Sequence, residues 1–459
     1  MIRSASNHFT ERAPWLQAIR PLIRAGIILG LAGAFNLVAA PLERHFIFAG
    51  TGSATTNALW VTPDTFYSHS RGYGVEPGAN VSGVHRQTGA TSVDFCTSDR
   101  PFYFSVDLPE GNYRATLTLG DPAGESRPVI KAESRRLVLP PIDLKPGETT
   151  QATVLINIRN ARLPDGGTVR LKPREIGALH WDDRLTLEFN GLHPCVTSLD
   201  LTRVEDAPTV FLIGDSTVTD QQIEPWAAWG QMLPSFFGPT VAIANHAESG
   251  ETIKSFVGER RWEKVLSLLR GGDYVLMQFG HNDQKLNAEH TDAATSFKDY
   301  LRRFITETRT KGAFPVLVTS MERRNFDANG KIVPSLEGYP QAMREVGKEL
   351  GVPVIDLNAM SIRFYEALGP EAAKKAFVYF PANTFPGQTT ALADDTHFSA
   401  YGAYELARGV VTGIHAYLPA LARHLRPDLP IFDPVHPDRF ADWHLPPSPP
   451  RPVVKPEGS

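Results

Sequence analysis

The chain has 459 residues, enough for two or three domains at about 150 residues each, so core size is not limiting. Lys plus Arg number 46 against 50 Asp plus Glu, a net charge of −4, which excludes a strongly basic nucleic-acid binder and gives no support to a polybasic membrane-surface protein. With 42% hydrophobic and 21% charged residues the chain reads as folded, and its two cysteines, Cys96 and Cys195, exclude a disulfide scaffold or a four-thiolate zinc site while leaving a single bridge open.

The first feature in chain order is an apolar stretch from Ala25 to Ala40, preceded by Arg20 and Arg24 and broken only by glycines and Asn36. A basic flank, an apolar run and the small exit residues Ala39 and Ala40 describe a secretion signal over residues 1–40. The run is short for a spanning helix, which needs about 20 apolar residues. Secretion or export to the periplasm is therefore expected, with an uncleaved anchor as the alternative.

From 57 to 205 the signals are short alternating runs, at 102–108, 113–119, 137–139, 153–156, 185–189 and 199–201, with turn residues between them. The first two runs, joined by Pro109-Glu110-Gly111-Asn112, are expected to form a hairpin. Strands at this spacing, with no convincing helix among them, indicate a β-sandwich or jelly roll. From 207 to 420 the texture changes to buried-type strands at 209–213, 241–243, 274–279, 315–319 and 352–355. Helical patterns at 253–269, 293–311, 339–350 and 401–417 lie among them, which means βαβ units and a parallel sheet covered on both faces. Residues 421–459 are Pro-rich, and they either pack as extended chain or stay disordered.

Chemistry concentrates at the strand ends of the second half. Gly214-Asp215-Ser216-Thr217 follows its first strand, where a serine hydroxyl sits beside the amides of the next turn. Taken alone, Asp215 and Ser216 could equally cap a helix. Three further segments share that address: Asn245-His246-Ala247-Glu248-Ser249-Gly250, Phe279-Gly280-His281-Asn282-Asp283 and Asp394-Asp395-Thr396-His397-Phe398. In this order they resemble the four blocks of the SGNH/GDSL hydrolase superfamily, over roughly residues 209–418. The resemblance implies a flavodoxin-like three-layer α/β/α sandwich behind an all-β domain. It also implies Ser216 as nucleophile, Asp394 and His397 as the other triad members, and Ser216, Gly250 and Asn282 as oxyanion donors, with no metal or cofactor.

Elementary chemistry agrees with these roles. A neutral serine needs an adjacent base, and the base needs an acceptor that fixes its tautomer. Asp394, three residues before His397, can fold onto the imidazole, whereas Asp395 is expected to cap a turn or face solvent. Asp215 and Asp283 read as loop scaffolding, and His246 and His290 as ordinary loop histidines. Asp215, His281, Asp283 and Asp394 could in principle form a metal cluster, but no metal-binding spacing supports one.

The surroundings of the blocks, including Trp229-Gly230-Gln231-Met232-Leu233, Ser255-Phe256 and Thr319-Ser320-Met321-Glu322-Arg323-Arg324, look like the rhamnogalacturonan acetylesterase group. Glu251 departs from that pattern, where a basic or small residue is expected, and leaves the sugar specificity open. Arg323 and Arg324 could bind uronate groups or form surface salt bridges. Trp226, Trp229 and Trp262 could stack on sugar or fill core, with core the better reading for at least two of them.

The N-terminal region, through Tyr67, Gly72-Tyr73-Gly74-Val75 and the 106–113 and Gly120-Asp121 segments, resembles a galactose-binding-like jelly roll. In such a fold the strands of Cys96 and Cys195 can be neighbours, which implies a Cys96–Cys195 disulfide. The expected function is deacetylation of polysaccharide, most of all pectic rhamnogalacturonan, by a serine acyl-enzyme. The partner is an acetylated polysaccharide or oligosaccharide, with no nucleic acid and no stable membrane association once the signal is removed. A lipase, thioesterase or acetyl transferase is the alternative, and a non-catalytic carbohydrate-binding protein is the reading from another class.

Overall fold

The computed structural model describes residues 42–50, 58–88 and 91–450, and the expected signal at 1–40 lies outside them. Among the described residues no helix is long and apolar enough to cross a membrane.

The N-terminal half is all β. One sheet has the spatial order Thr150–Ile158, Gly111–Leu119, Cys195–Val204, Glu43–Phe48 and Leu59–Val61, and the hairpin Val81–Thr88/Thr91–Ser98 joins it at Cys195–Val204. The second sheet runs Tyr73–Val75, Phe102–Asp107, Arg184–Leu192, Arg127–Ala132 and Arg136–Leu139. Alternate residues point between the sheets, so Phe46, Phe48, Phe104, Leu117, Leu187 and Leu201 share one core. The strand Glu43–Phe48 lies ahead of residue 57, because its charged start hides the buried Phe46 and Phe48 from a pattern search.

Two expectations are corrected here. The runs at 102–108 and 113–119 are not a hairpin: Phe102–Asp107 pairs with Arg184–Leu192, and Gly111–Leu119 pairs with Thr150–Ile158 in the other sheet. The intervening turn is a corner between sheets, pinned where Tyr113 Oη donates to Pro109 O at 2.8 Å. Nor are Cys96 and Cys195 bonded; both are buried free thiols. Their strands are adjacent, but the register pairs Cys96 with Val196 and Cys195 with Thr97. Side chains alternate faces along a strand, so this one-residue offset sends the two thiols to opposite sides of the sheet. Cys96 joins the core, while the Cys195 thiol lies 3.6 Å from Thr97 Oγ1.

The second half is a parallel five-stranded sheet in the order Ala242–Asn245, Thr209–Gly214, Tyr274–Gln278, Phe314–Val318 and Val354–Ile355. Numbered along the chain this is 2-1-3-4-5, the flavodoxin-like order, and its switch point lies between Thr209–Gly214 and Tyr274–Gln278. Strand alternation divides the core. Val210, Leu212 and Leu276 meet Trp229 and the helices Leu357–Ala372 and Ala400–Tyr417 on one face. Phe211, Ile213 and Val275 meet Phe256, Val265, Phe304 and Met343 on the other, from Ile253–Gly258, Arg261–Leu268, Ser296–Thr310 and Tyr339–Leu350. The helical pattern at 253–269 is two helices, broken where Arg260 takes a left-handed φ of 64°.

The halves meet through buried charge. The Arg136 guanidinium, on the β half, donates through Nε and Nη2 to Asp220 Oδ2 at 3.0 and 2.7 Å, with both side chains buried. Arg135 pairs with Glu224 at 2.6 Å. The Pro-rich extension crosses the same seam: the buried Ser448 takes Lys131 Nζ at 2.8 Å, donates to Glu188 Oε2 at 2.7 Å and gives its N–H to Glu224 Oε1 at 3.0 Å. Up to Pro450, then, the extension packs as an ordered strap. Thiol titration of the unfolded, unreduced protein should count two thiols per chain, and a count of zero would restore the disulfide.

Candidate active site

The site forms at the switch point of the parallel sheet. Gly214 ends the first strand where any Cβ would meet Gln278 O at 2.5 Å, so the backbone there can approach its neighbour only as glycine. The turn that follows is tied down by Asp215, whose Oδ1 accepts the Thr217 N–H at 2.9 Å and its hydroxyl at 2.7 Å. Gln221 Nε2 donates to Ser216 O at 2.7 Å from the far side of the turn. Ser216 is thereby held with its Oγ 2.9 Å from His397 Nε2.

His397 and Asp394 lie on the strand Leu392–Phe398, which pairs with Phe377–Phe380. The register jumps from Phe377↔Phe398 to Val378↔Asp394, so the residues between bulge outward. That bulge folds the Asp394 carboxylate back on its own segment. Its Oδ1 accepts the N–H groups of Thr396 and His397 at 2.9 and 3.0 Å, and its Oδ2 lies 2.9 Å from His397 Nδ1. Trp226 Nε1 reaches the same oxygen at 3.4 Å. Burial pushes the Asp394 carboxyl up, but the hydrogen bond and charge of His397 and the two backbone donors outweigh it and hold Asp394 well below the ordinary carboxylate range. Asp395 instead takes Arg324 Nε at 2.6 Å and Tyr379 Oη at 2.5 Å.

The other two residues assigned as donors are Gly250 and Asn282. Gly250 has φ of 78°, a conformation strained for a residue with a Cβ. Asn282 Nδ2 donates one hydrogen to Glu251 O at 3.0 Å, which orients the amide, and its other hydrogen has no hydrogen-bond acceptor among the described residues. Among the described residues no protein acceptor takes the N–H of Ser216 or Gly250. Asp283 braces the loops, with Oδ1 accepting from Ile253 N and Thr291 Oγ1 at 2.9 Å and Oδ2 from Gly280 N at 2.9 Å. Burial, with the nearby Asp215 charge, raises the Asp283 carboxyl to about 7. His281 Nδ1 lies 3.4 Å from Asp215 Oδ2. The His397 imidazole, 2.9 Å from the Ser216 hydroxyl, is placed to take its proton as the oxygen attacks a carbonyl, and backbone or amide N–H groups without a protein acceptor are the kind of donor that stabilises an oxyanion.

Several residues singled out in the sequence are occupied elsewhere. Arg323 donates to Thr396 Oγ1, Ser335 O and Oγ, and His281 O, each at 3.3 Å, so it ties three loops together. Arg324 is held by Asp395, by Tyr379 Oη at 2.9 Å and by Pro370 O at 3.1 Å. Trp226, Trp229 and Trp262 are all buried, so none offers a stacking face. Glu251 is buried and faces the β half, where Lys172 Nζ lies 2.5 Å from its carboxylate, so its departure from the family pattern reflects the domain seam. Two sets of potential metal ligands lie together among the described residues, Asp121/His193/Cys195 and Glu175/His180/Glu248. Arg86 holds the Asp121 carboxylate in the first set, and Arg261 and Arg174 hold Glu175 and Glu248 in the second. The sequence reading did not single out Gln221, which holds the backbone carbonyl of Ser216, or Lys172 and Arg174, whose partners lie more than seventy positions away.

Residues 212–404 match the GDSL-like lipase/acylhydrolase family. The chain is 45% identical over 218 residues to the rhamnogalacturonan acetylesterase RhgT of Bacillus subtilis (strain 168), covering 47% of this chain and 93% of that protein. It is 26% identical over 371 residues to the uncharacterized esterase YxiM of the same organism, covering 78% and 89% of the two chains. The crystal structure of the B. subtilis YxiM protein matches 82% of this chain and 98% of its own at 25% identity, with a TM-score of 0.43.

The depressed Asp394 carboxyl sets a sign for acid stability. Its folded value lies below the unfolded value of about 3.9, so the unfolded state binds more protons between the two. Its stabilisation is therefore present above pH ~4 and lost as pH falls through the folded value. Urea unfolding between pH 6 and 3 should show a steeper loss of stability for the wild type than for Asp394→Asn, and equal slopes would contradict this placement.

Proposed function

The chain belongs to the GDSL-like lipase/acylhydrolase family and is a carboxylic ester hydrolase, and from that premise we propose that it deacetylates polysaccharide, with pectic rhamnogalacturonan as substrate, through an acyl-enzyme on Ser216. The observation that carries the mechanism is the buried relay from Asp394 through His397 to Ser216, with contacts of 2.9 Å at each junction. The acetyl and pectic parts of the reading draw on the likeness to the RhgT acetylesterase.

Ser216 Oγ attacks the acetyl carbonyl carbon while its proton passes to His397 Nε2. Asp394, accepting from Nδ1–H, fixes the tautomer and stabilises the imidazolium. The oxyanion takes the N–H groups of Ser216 and Gly250 and the free amide hydrogen of Asn282. Collapse expels the sugar oxygen, which leaves with the proton from His397. Water then gives a proton to His397 and attacks the acyl carbon, and acetate departs as the proton returns to Ser216. No step calls for a cofactor. Residues 207–420 supply all of these groups, and residues 1–40 act as an export signal, which places the enzyme where plant-type polysaccharide is found.

Ser216→Ala should lower kcat for acetyl-ester hydrolysis on the order of 10⁶-fold, and Asn282→Ala by about 10²–10³-fold. Acetate release should be faster from acetylated rhamnogalacturonan than from acetylated xylan or mannan. Preference for long acyl chains would instead support a lipase, and activity retained in Ser216→Ala would remove the nucleophile.

A further inference from the structure

One turn of the β half reaches the Gly250 segment of the active site. Pro173 opens the 3₁₀ turn Pro173–Glu175, and the Glu175 side chain closes it by accepting the Lys172 N–H at 2.8 Å. The Glu175 carboxylate is anchored in turn by Arg261 and by Trp181 Nε1 at 2.9 Å. So fixed, the turn directs two cations at one carbonyl of the other half: Lys172 Nζ donates to Ser249 O at 2.8 Å, and Arg174 Nη2 donates to the same oxygen at 2.5 Å. Arg174 Nε also donates to Glu248 Oε1 at 3.0 Å, and Lys172 Nζ lies 2.5 Å from Glu251 Oε1. The residue between these anchors is Gly250.

The covalent geometry of the peptide makes this arrangement consequential. The carbonyl of Ser249 and the N–H of Gly250 belong to one planar trans peptide, in which the two groups point in opposite directions. Fixing the oxygen toward the β half fixes the N–H away from it. Two charge-assisted bonds on the oxygen also polarise the peptide and strengthen its N–H as a donor. Lys172 reaches the segments on both sides of Gly250, so the left-handed glycine cannot swing without breaking a charged contact. The same Glu251 whose side chain takes Lys172 gives its carbonyl to Asn282 Nδ2, which links the turn to the other oxyanion donor.

We infer that Lys172 and Arg174 of the β half are positioning residues for the oxyanion site, acting through the Ser249–Gly250 peptide. Their contacts are with Ser249 O and the Glu248 and Glu251 carboxylates, not with Ser216, His397 or Asp394. The inference rests on the serine-esterase reading above, in which the Gly250 N–H receives the oxyanion. It gives the β half a part in turnover itself, independent of any sugar binding.

The test compares Lys172→Met, Arg174→Met and the double variant with the conservative Lys172→Arg and with Ser216→Ala in the full chain. The readouts are kcat and KM for an acetyl ester and inhibition by a small alkylboronic acid, which adds to a catalytic serine as a tetrahedral anion. The double variant should lose about 10–100-fold in kcat, less than the loss of a whole donor, with KM little changed and boronate affinity falling in parallel. Lys172→Arg, which keeps the charge, should recover most of the loss. Wild-type kcat in the double variant, or an equal loss in Lys172→Arg, would overturn the inference. So would a fall in kcat with boronate affinity intact. If the double variant does not fold, Lys172→Met and Arg174→Met are read singly, each with a smaller loss of kcat and a parallel loss of boronate affinity, and wild-type values in both would overturn the inference. Activity in Ser216→Ala would sink the underlying reading instead, whatever the turn variants do.

Discussion

A hydrogen bond of 2.9 Å between His397 Nε2 and Ser216 Oγ joins residues 181 positions apart, and the rest of the structure serves to keep it at that length. Both side chains are buried, so neither can be set by solvent. Each sits on a short irregular segment, a turn after a strand for Ser216 and a bulge within one for His397. The turn is held by Asp215 and Gln221, and the bulge by the Asp394 carboxylate that accepts its N–H groups. Precision of this kind matters because effective molarity falls steeply when reacting atoms are misplaced by about 1 Å.

The two halves are coupled by charges placed where removal of one partner leaves the other buried and unpaired. Arg136 and Asp220, Arg135 and Glu224, and Arg261 and Glu175 all lie in such positions. Arg135 extends the coupling toward the site, donating to Gln221 O and Trp226 O at 3.1 and 2.8 Å. Gln221 holds the nucleophile turn, and Trp226 touches Asp394. The strap at Ser448 closes the same seam from outside. The β half therefore behaves as a structural continuation of the catalytic half.

The sequence disclosed what is periodic or local. The five strands of the parallel sheet were legible because buried strands read as short apolar runs, and Tyr339–Leu350 because its apolar face repeats at helical spacing. Helix Leu357–Ala372 was missed; it kinks where Gly369 takes φ 76° ahead of Pro370. The Asp394/His397 spacing was readable since both lie on one segment, and the structure brings Ser216 to them. What escaped is non-local. Pairing partners are not written in a strand's own residues, so a turn rich in Pro and Gly passed for a hairpin although its strands belong to different sheets. Register is equally silent, and a one-residue offset was enough to separate Cys96 from Cys195. Arg323 and Arg324 stayed open in the sequence between acidic sugar and salt bridges because their internal partners, Thr396, Ser335, Asp395 and Tyr379, are contributed by other loops.

The most direct measurement of the central claim is covalent labelling. A fluorophosphonate reacts with a serine only where a base removes its proton and donors receive the resulting oxyanion. Peptide mass spectrometry of the intact chain after labelling should find one phosphonyl group per molecule, on the peptide bearing Ser216, and no label when His397 is replaced by alanine. An adduct on a different residue, or full hydrolytic activity with Ser216 unmodified, would contradict the account.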